Sequence, residues 1–285
     1  MQEPGIIIGE RNFSELREFV YRHRGYYLRE QEKSTLEDRM AARLKSLNFN
    51  DYFYYLDYLK KNASADAEID RILKAVEQSE NLFFRNFDQF NALQNVVLPE
   101  IIENKKLGGD NRIRILSVGC ASGEDLFSTG MILYEHFPYM FNRFRFELVG
   151  TEIDEQSLGE AREGVFNLLS LENINNSFIK KYFHKAENGY QVIDKIRHLV
   201  DFKPLDLLDF FEMRGLGKFD IVLCSNVLSY LNRDLKSQAI NTLHELLQPE
   251  GYLFVGPAEA ILKDSPGFEM VFFLRAIGYK KLMNT

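Results

Sequence analysis

The sequence contains no tryptophan and only two cysteines, Cys120 and Cys224. Two thiols are too few for a disulfide scaffold, and neither stands in a C-x-x-C pair. Seven prolines and 18 glycines in 285 residues exclude collagen-like and low-complexity chains. No run approaches 18 consecutive apolar residues, which argues against a membrane-spanning helix. Met1-Gln2-Glu3-Pro4 lacks the basic-then-apolar layout of a signal peptide, so the expectation is a protein kept in the reducing cytoplasm. The histidines, His23, His136, His184, His198 and His244, show no metal-ligand spacing, and no G-x-S-x-G elbow occurs. Basic residues are also outnumbered: the net charge of −7 argues against nucleic acid as a partner.

What is present suffices for a folded enzyme. The chain is 45% hydrophobic and 13% aromatic, enough for a real core. Up to about residue 75 everything reads helical. Asn12 with Glu15, and Ser34 with Glu37, stand at capping-box spacing ahead of apolar faces. Gly25 is expected to stop the first helix, and Phe53, Leu56 and Leu59 to face inward from a third over 51–61. Residues 76–110 read as a helical linker, with one helix over 87–103. After residue 110 the period switches. Strands are expected at 112–118, 146–151, 199–202, 221–224 and 252–255, with helices to about 137, over 155–163 and over 234–247. This alternation implies an α/β fold with a doubly wound, mostly parallel sheet over residues 111–285. An Asn-rich stretch at about 165–198 breaks the pattern. Its Asn188-Gly189 turn and Tyr190-Gln-Val-Ile193 suggest a small inserted antiparallel β-subdomain, and 268–274 with 279–282 a closing antiparallel hairpin.

Four motifs sit at expected strand ends, where doubly wound folds bind ligands. Gly119-Cys-Ala-Ser-Gly123 follows the first strand and runs into Glu124 and Asp125. Glycines there let backbone approach a ligand, or simply make a tight turn. The two acids would repel a pyrophosphate at a helix N-terminus and welcome a cation, such as the sulfonium and amino groups of S-adenosylmethionine. Glu152, 33 residues after Gly119, is placed to accept from ribose hydroxyls. Asp154 reads equally as a ribose ligand or a helix N-cap. Asp206 suits an adenine amine or a solvated turn. Asn226 offers both donor and acceptor, and Tyr230 one phenol.

Together with the helical leader, these motifs make the chain resemble the CheR-type chemoreceptor glutamate methyltransferases of bacterial chemotaxis. The resemblance runs through Gly25, Lys33, Arg39, Arg43-Leu44 and Tyr58, then Phe83-Phe84-Arg85, Gly119-Cys-Ala-Ser-Gly-Glu124 and Glu152-Ile-Asp154. It continues through Leu205-Asp-Leu-Leu208, Phe219-Asp220, Asn226-Val227, Tyr230 and Gly251-Tyr-Leu-Phe-Val-Gly256. It implies a Rossmann-like methyltransferase sheet over 111–285, an N-terminal all-helical domain over 1–75 and a β-subdomain that contacts receptors. It further implies that Gly119, Ala121, Gly123, Glu124, Glu152, Asp206, Leu207 and Asn226 line the S-adenosylmethionine site. Arg85 and Tyr230 would then face the methyl and the incoming glutamate. The plainer alternatives are an ion pair of Arg85 with Asp88 and core packing of Tyr230. The expected product is S-adenosylhomocysteine, and the expected partner a chemoreceptor or similar helical signalling protein bearing glutamates, met by a monomer.

Between Arg11 and Lys61 there are eleven Lys or Arg against eight Asp or Glu. Thr35, Arg39, Arg43 and Ser46 form one stripe there, either a docking face for an acidic helix or a solvated surface. The chain departs from the family at Gln78-Ser-Glu-Asn81, Glu152, Asp206, Ser225 and Pro257-Ala258. Those departures keep a second reading open, a non-catalytic S-adenosylmethionine-binding scaffold of a signalling system.

Overall fold

Apolar residues at three- and four-residue intervals wind the leader into α1 (Glu10–Arg24), α2 (Lys33–Ser46), α3 (Tyr52–Lys61) and α4 (Ala65–Glu77). The computed structural model describes residues 6–24, 28, 30–61, 65–77, 81–256, 259 and 267–283. Gly25, Gln78 to Glu80 and Pro257-Ala258 therefore lie outside the described residues. Two units are distinguished: Met1–Glu80 with Ser229–Asn232, and Asn81–Leu228 with Arg233–Thr285.

In the first unit, Phe13, Leu16, Val20, Leu36, Met40, Leu44, Leu56 and Leu59 close one core. Tyr52 and Tyr55 are buried there, whereas Phe53 is exposed, against expectation. The tyrosines can enter because their hydroxyls find partners: Tyr52 donates to the Leu36 carbonyl at 3.0 Å and Tyr55 to Glu68 at 3.1 Å. Neither expected capping box forms. Helix α1 starts two residues ahead of Asn12, whose amide donates to Asp51 instead (3.2 Å). Helix α2 already includes Ser34, and Glu37 is taken by the Ile8 N–H at 2.8 Å. The basic stripe is also largely consumed internally. Arg43 pairs with the buried Glu68, and Arg39 donates to the Ala75 carbonyl at 3.3 Å. A buried carboxylate needs its counter-charge, which ties Arg43 to α4, while Arg39 is held there by a carbonyl.

The second unit begins with α5 (Phe87–Ala92), a π-helical turn (Leu93–Val97) and α6 (Leu98–Gly108). Phe90, Leu93, Val97, Leu98, Ile101 and Ile102 from this segment join the core of that unit. The chain then runs β1 (Arg112–Val118), α7 (Glu124–His136), β2 (Arg145–Glu152), α8 (Glu155–Glu163) and β3 (Val165–Phe166). Next come α9 (Asn176–Tyr182), β4 (Phe183–Ala186), β5 (Gly189–Val192), α10 (Asp194–Arg197), β6 (Val200–Pro204) and α11 (Phe210–Gly215). It closes with β7 (Phe219–Cys224), α12 (Arg233–Leu246), β8 (Leu247–Val255), β9 (Phe268–Phe273) and β10 (Ala276–Lys281).

Seven strands form one sheet in the order β6-β2-β1-β7-β8-β10-β9. The first five are parallel, and the β9–β10 hairpin closes the edge antiparallel to β8. All six residues of β7 are buried, as expected of a central strand covered on both faces. Strand order reverses between β1 and β7, so the ligand crevice of a doubly wound sheet belongs at their carboxyl ends. The insertion is a three-stranded antiparallel sheet, β3-β5-β4, one strand more than the expected hairpin. Gly189 permits it: φ is +151°, and a Cβ there would lie 2.3 Å from the Phe166 carbonyl oxygen. Among the described residues no helix is long and apolar enough to cross a membrane.

Candidate functional site

The loop after β1 is positioned by bonds to its neighbours rather than by spare flexibility. Cys120 N–H donates to the Thr151 carbonyl (3.0 Å), Ala121 N–H to Glu152 Oε2 (3.1 Å) and Gly123 N–H to the Cys120 carbonyl (2.8 Å). These three amides are therefore not offered to a phosphate. The glycines serve packing. Gly119 has φ +60°, and a Cβ on it would lie 2.4 Å from Val227 Cγ2. At Gly123, φ +91°, it would lie 2.7 Å from Phe202 Cζ. Of the two readings of these glycines, close packing in a tight turn is the one seen, against the β7 loop at Gly119 and against Phe202 of β6 at Gly123. Gly119→Ala should cost about 2–4 kcal/mol, from the strained φ and the clash. Chemical denaturation would measure it, with partial recovery in Gly119→Ala/Val227→Ala.

Around this loop the other expected residues converge. Glu152, 8% exposed at the end of β2, also accepts the N–H of Ile153 (2.7 Å) and Asp154 (3.1 Å) through Oε1. Asp154 is the N-cap of α8, its Oδ2 accepting the Ser157 N–H at 2.9 Å, which settles its two readings for the cap. The Glu152 carbonyl accepts from Leu205 N–H (3.2 Å), so the segment leading to Asp206 and Leu207 passes beside it. Asp206 is exposed and holds the Leu208 N–H at 2.8 Å in a local turn, while Leu207 is buried. Asn226, just past β7, has φ +62°.

Arg85 follows Phe84, a bulky residue at φ +51° whose N–H donates to Ser128 Oγ on α7 (3.0 Å). Strain of this kind persists only where the surroundings enforce it, and Ala121 (φ +45°) and Asn226 share it around the same crevice. Asn86, next in sequence, donates its amide to Ser225 Oγ at 3.3 Å, linking the Arg85 segment to the β7 end. The charge of Arg85 acts on Asp125. Tyr230 is placed differently: it packs against the core of the helical unit. Ser128 and Asn86 were not singled out by sequence reasoning, and neither carries a local signal. Asp125 was, as the second acid after Gly123.

The acids at the start of α7 are poorly solvated. Burial raises Glu124 to about 7, partly offset by the Ser122 hydroxyl donating at 2.7 Å. Burial raises Asp125 to about 6 against the lowering pull of the Arg85 guanidinium. A carboxyl that ionises near ~4.3 unfolded and higher when folded costs nothing below the first value, and its full cost above the second. Glu124 therefore destabilises the ligand-free protein increasingly from about pH 4 to pH 7. Glu124→Gln should stabilise the ligand-free fold by a margin that widens from pH 5 to 8 to on the order of 2–4 kcal/mol, read by chemical denaturation at each pH. A margin flat with pH would mean that Glu124 ionises normally.

Residues 79–277 match the family model described as CheR methyltransferase, SAM binding domain, and residues 11–76 the CheR methyltransferase all-alpha domain. The chain belongs to the CheR methyltransferase family. It is 30% identical over 277 residues to a chemotaxis protein methyltransferase 2 of Vibrio cholerae, covering 97% of this chain and 94% of that one. To a chemotaxis protein methyltransferase of Borreliella burgdorferi it is 28% identical, over 90% of each chain. To a chemotaxis protein methyltransferase 1 of Pseudomonas aeruginosa it is 32% identical, over 71% of this chain and 73% of that one. The cofactor of this CheR member is accordingly S-adenosylmethionine. Its crevice suits that molecule: Glu124 and Asp125 stand desolvated where a cationic group would relieve them, and the Cys120, Ala121 and Gly123 amides are already committed.

Proposed function

We propose that this CheR family member forms methyl esters on glutamate side chains of a chemoreceptor-like helical signalling protein in the cytoplasm. The observation that carries the reading is Arg85, half-buried and electrostatically coupled to Asp125 at the first turn of α7. A guanidinium is the group best shaped to hold a carboxylate through one oxygen or both. A glutamate of pKa about 4.3 is already ionised at neutral pH, so no general base is required of the site. S-adenosylmethionine supplies an electrophilic methyl on a sulfonium. The protein's own work is alignment and exclusion of water. Arg85 fixes the acceptor carboxylate, and the crevice between the β1 and β7 loops fixes the donor. Alignment of this kind is worth roughly 7–11 kcal/mol at best.

We assign cofactor binding to Gly119, Ala121, Gly123, Glu124, Glu152, Leu207 and Asn226, with Asp206 at the exposed rim. Tyr230 is half-buried and packs in part against the core of the helical unit; its role toward the methyl and the acceptor remains part of the proposal. The test is base-labile transfer of radiolabelled methyl from S-adenosylmethionine to a receptor fragment carrying glutamates. Transfer is the expected result. A folded protein that binds S-adenosylhomocysteine and transfers nothing would instead be the scaffold, which the changes at Gln78 to Asn81, Ser225 and Pro257-Ala258 also allow.

A further inference from the structure

We infer that Glu259 is a positioning residue that locks Asn226 into the left-handed conformation in which it serves the cofactor. The inference rests on the assignment of Asn226 to the S-adenosylmethionine site. Glu259 is only 3% exposed. A buried carboxylate at that depth needs strong donors, and two converge on one of its oxygens. Asn226 N–H donates to Oε2 at 2.7 Å and Gly256 N–H at 2.9 Å. The Glu259 N–H in turn donates to the Gly256 carbonyl at 2.8 Å, tying it to the end of β8.

This arrangement explains two otherwise separate oddities. Asn226 holds φ +62°, which costs a non-glycine residue energy unless something fixes the peptide. A charge-assisted bond to its own N–H does so. Gly256 has no room for a side chain: a Cβ there would lie 2.8 Å from Glu259 Oε2 and 3.0 Å from Asn226 Oδ1. The end of β8, the carboxylate and the asparagine therefore form one closed cluster beside the switch point. The Glu259 charge also adds to the effect of burial in pushing the Cys224 thiol up, as expected if the carboxylate sits at the end of β7. Glu259 acts through Asn226 and is not itself a ligand of the cofactor.

The Asn226 and Gly256 N–H groups use the same oxygen, so Glu259→Gln can keep an acceptor for them while Glu259→Ala removes it. The full-length protein is titrated with S-adenosylhomocysteine by calorimetry. Glu259→Ala should raise the Kd about tenfold or more, and Glu259→Gln by no more than about threefold. Gly256→Ala, which crowds the same cluster with Glu259 in place, should also raise it about tenfold. If Glu259→Ala does not fold, the last two variants decide the question. The discriminating readout is a double-mutant cycle with Asn226→Ala. Once that side chain is gone, Glu259→Ala should add less than about twofold to the Kd, because its effect is spent through Asn226. Additive losses, or a Gly256→Ala variant that binds normally, would overturn the inference. A wild-type protein that fails to bind at all would overturn the cofactor assignment instead.

Discussion

Arg85→Ala is expected to reduce methyl transfer to a receptor fragment by roughly 100-fold or more while changing S-adenosylhomocysteine affinity by no more than about threefold. The asymmetry follows from what the guanidinium touches. It is assigned to the acceptor carboxylate, and losing it removes both a charge-assisted bond and the alignment that bond enforces. Arg85→Lys keeps the charge but not the planar fork, so it should recover only part of the rate. A second signature checks the coupling of Arg85 to Asp125. Burial holds Asp125 near 6 against the pull of Arg85. Without that pull the carboxyl rises further, and any step needing ionised Asp125 begins at higher pH. The pH profile of cofactor binding in Arg85→Ala should therefore move to higher pH. Collapse of cofactor binding at every pH would make Arg85 a structural ion-pair partner and sink the assignment.

The sheet was legible in the sequence because central parallel strands are continuous apolar runs. The expected 112–118 strand and 155–163 helix coincide with β1 and α8. The leader was less legible in detail. Helical periodicity gave its helices, but capping boxes are local patterns, and tertiary partners outbid them: Ile8 N–H took Glu37 and Asp51 took Asn12. Phe53 was expected inside, on one helical face with Leu56 and Leu59. The buried residues are Tyr52 and Tyr55, because a carbonyl and Glu68 accept their hydroxyls, which no local pattern announces. The same limit governs the candidate site. Spacing picked out Gly119 and Glu152, but it offered a ligand-facing reason for glycine where the real constraint is Val227, more than a hundred residues along the chain. Glu259 stood in plain sight four residues after Val255, with nothing in the sequence to connect it to Asn226.

Glu152→Ala is expected to lower stability by about 2–4 kcal/mol and to weaken S-adenosylhomocysteine binding at least about tenfold. The carboxylate accepts three backbone N–H groups, and one of them, from Ala121, holds the β1 loop at φ +45°. Removing it strands those donors and frees the loop, so affinity would fall even if Glu152 never touched the cofactor. Glu152→Gln helps little, since one terminal atom becomes an N–H donor facing another donor. The ligand has to be varied as well. An ionised carboxylate offers about four acceptor sites, and three are occupied here, which leaves room for one ribose hydroxyl rather than two. Deoxy analogues of S-adenosylhomocysteine lacking the 2′- or the 3′-hydroxyl should therefore separate. With the wild-type protein, one of them should bind about tenfold more weakly than the parent, and against Glu152→Ala that difference should vanish. If both analogues lose the same affinity whether or not Glu152 is present, the residue only ties the loop. The ribose would then be held by other groups.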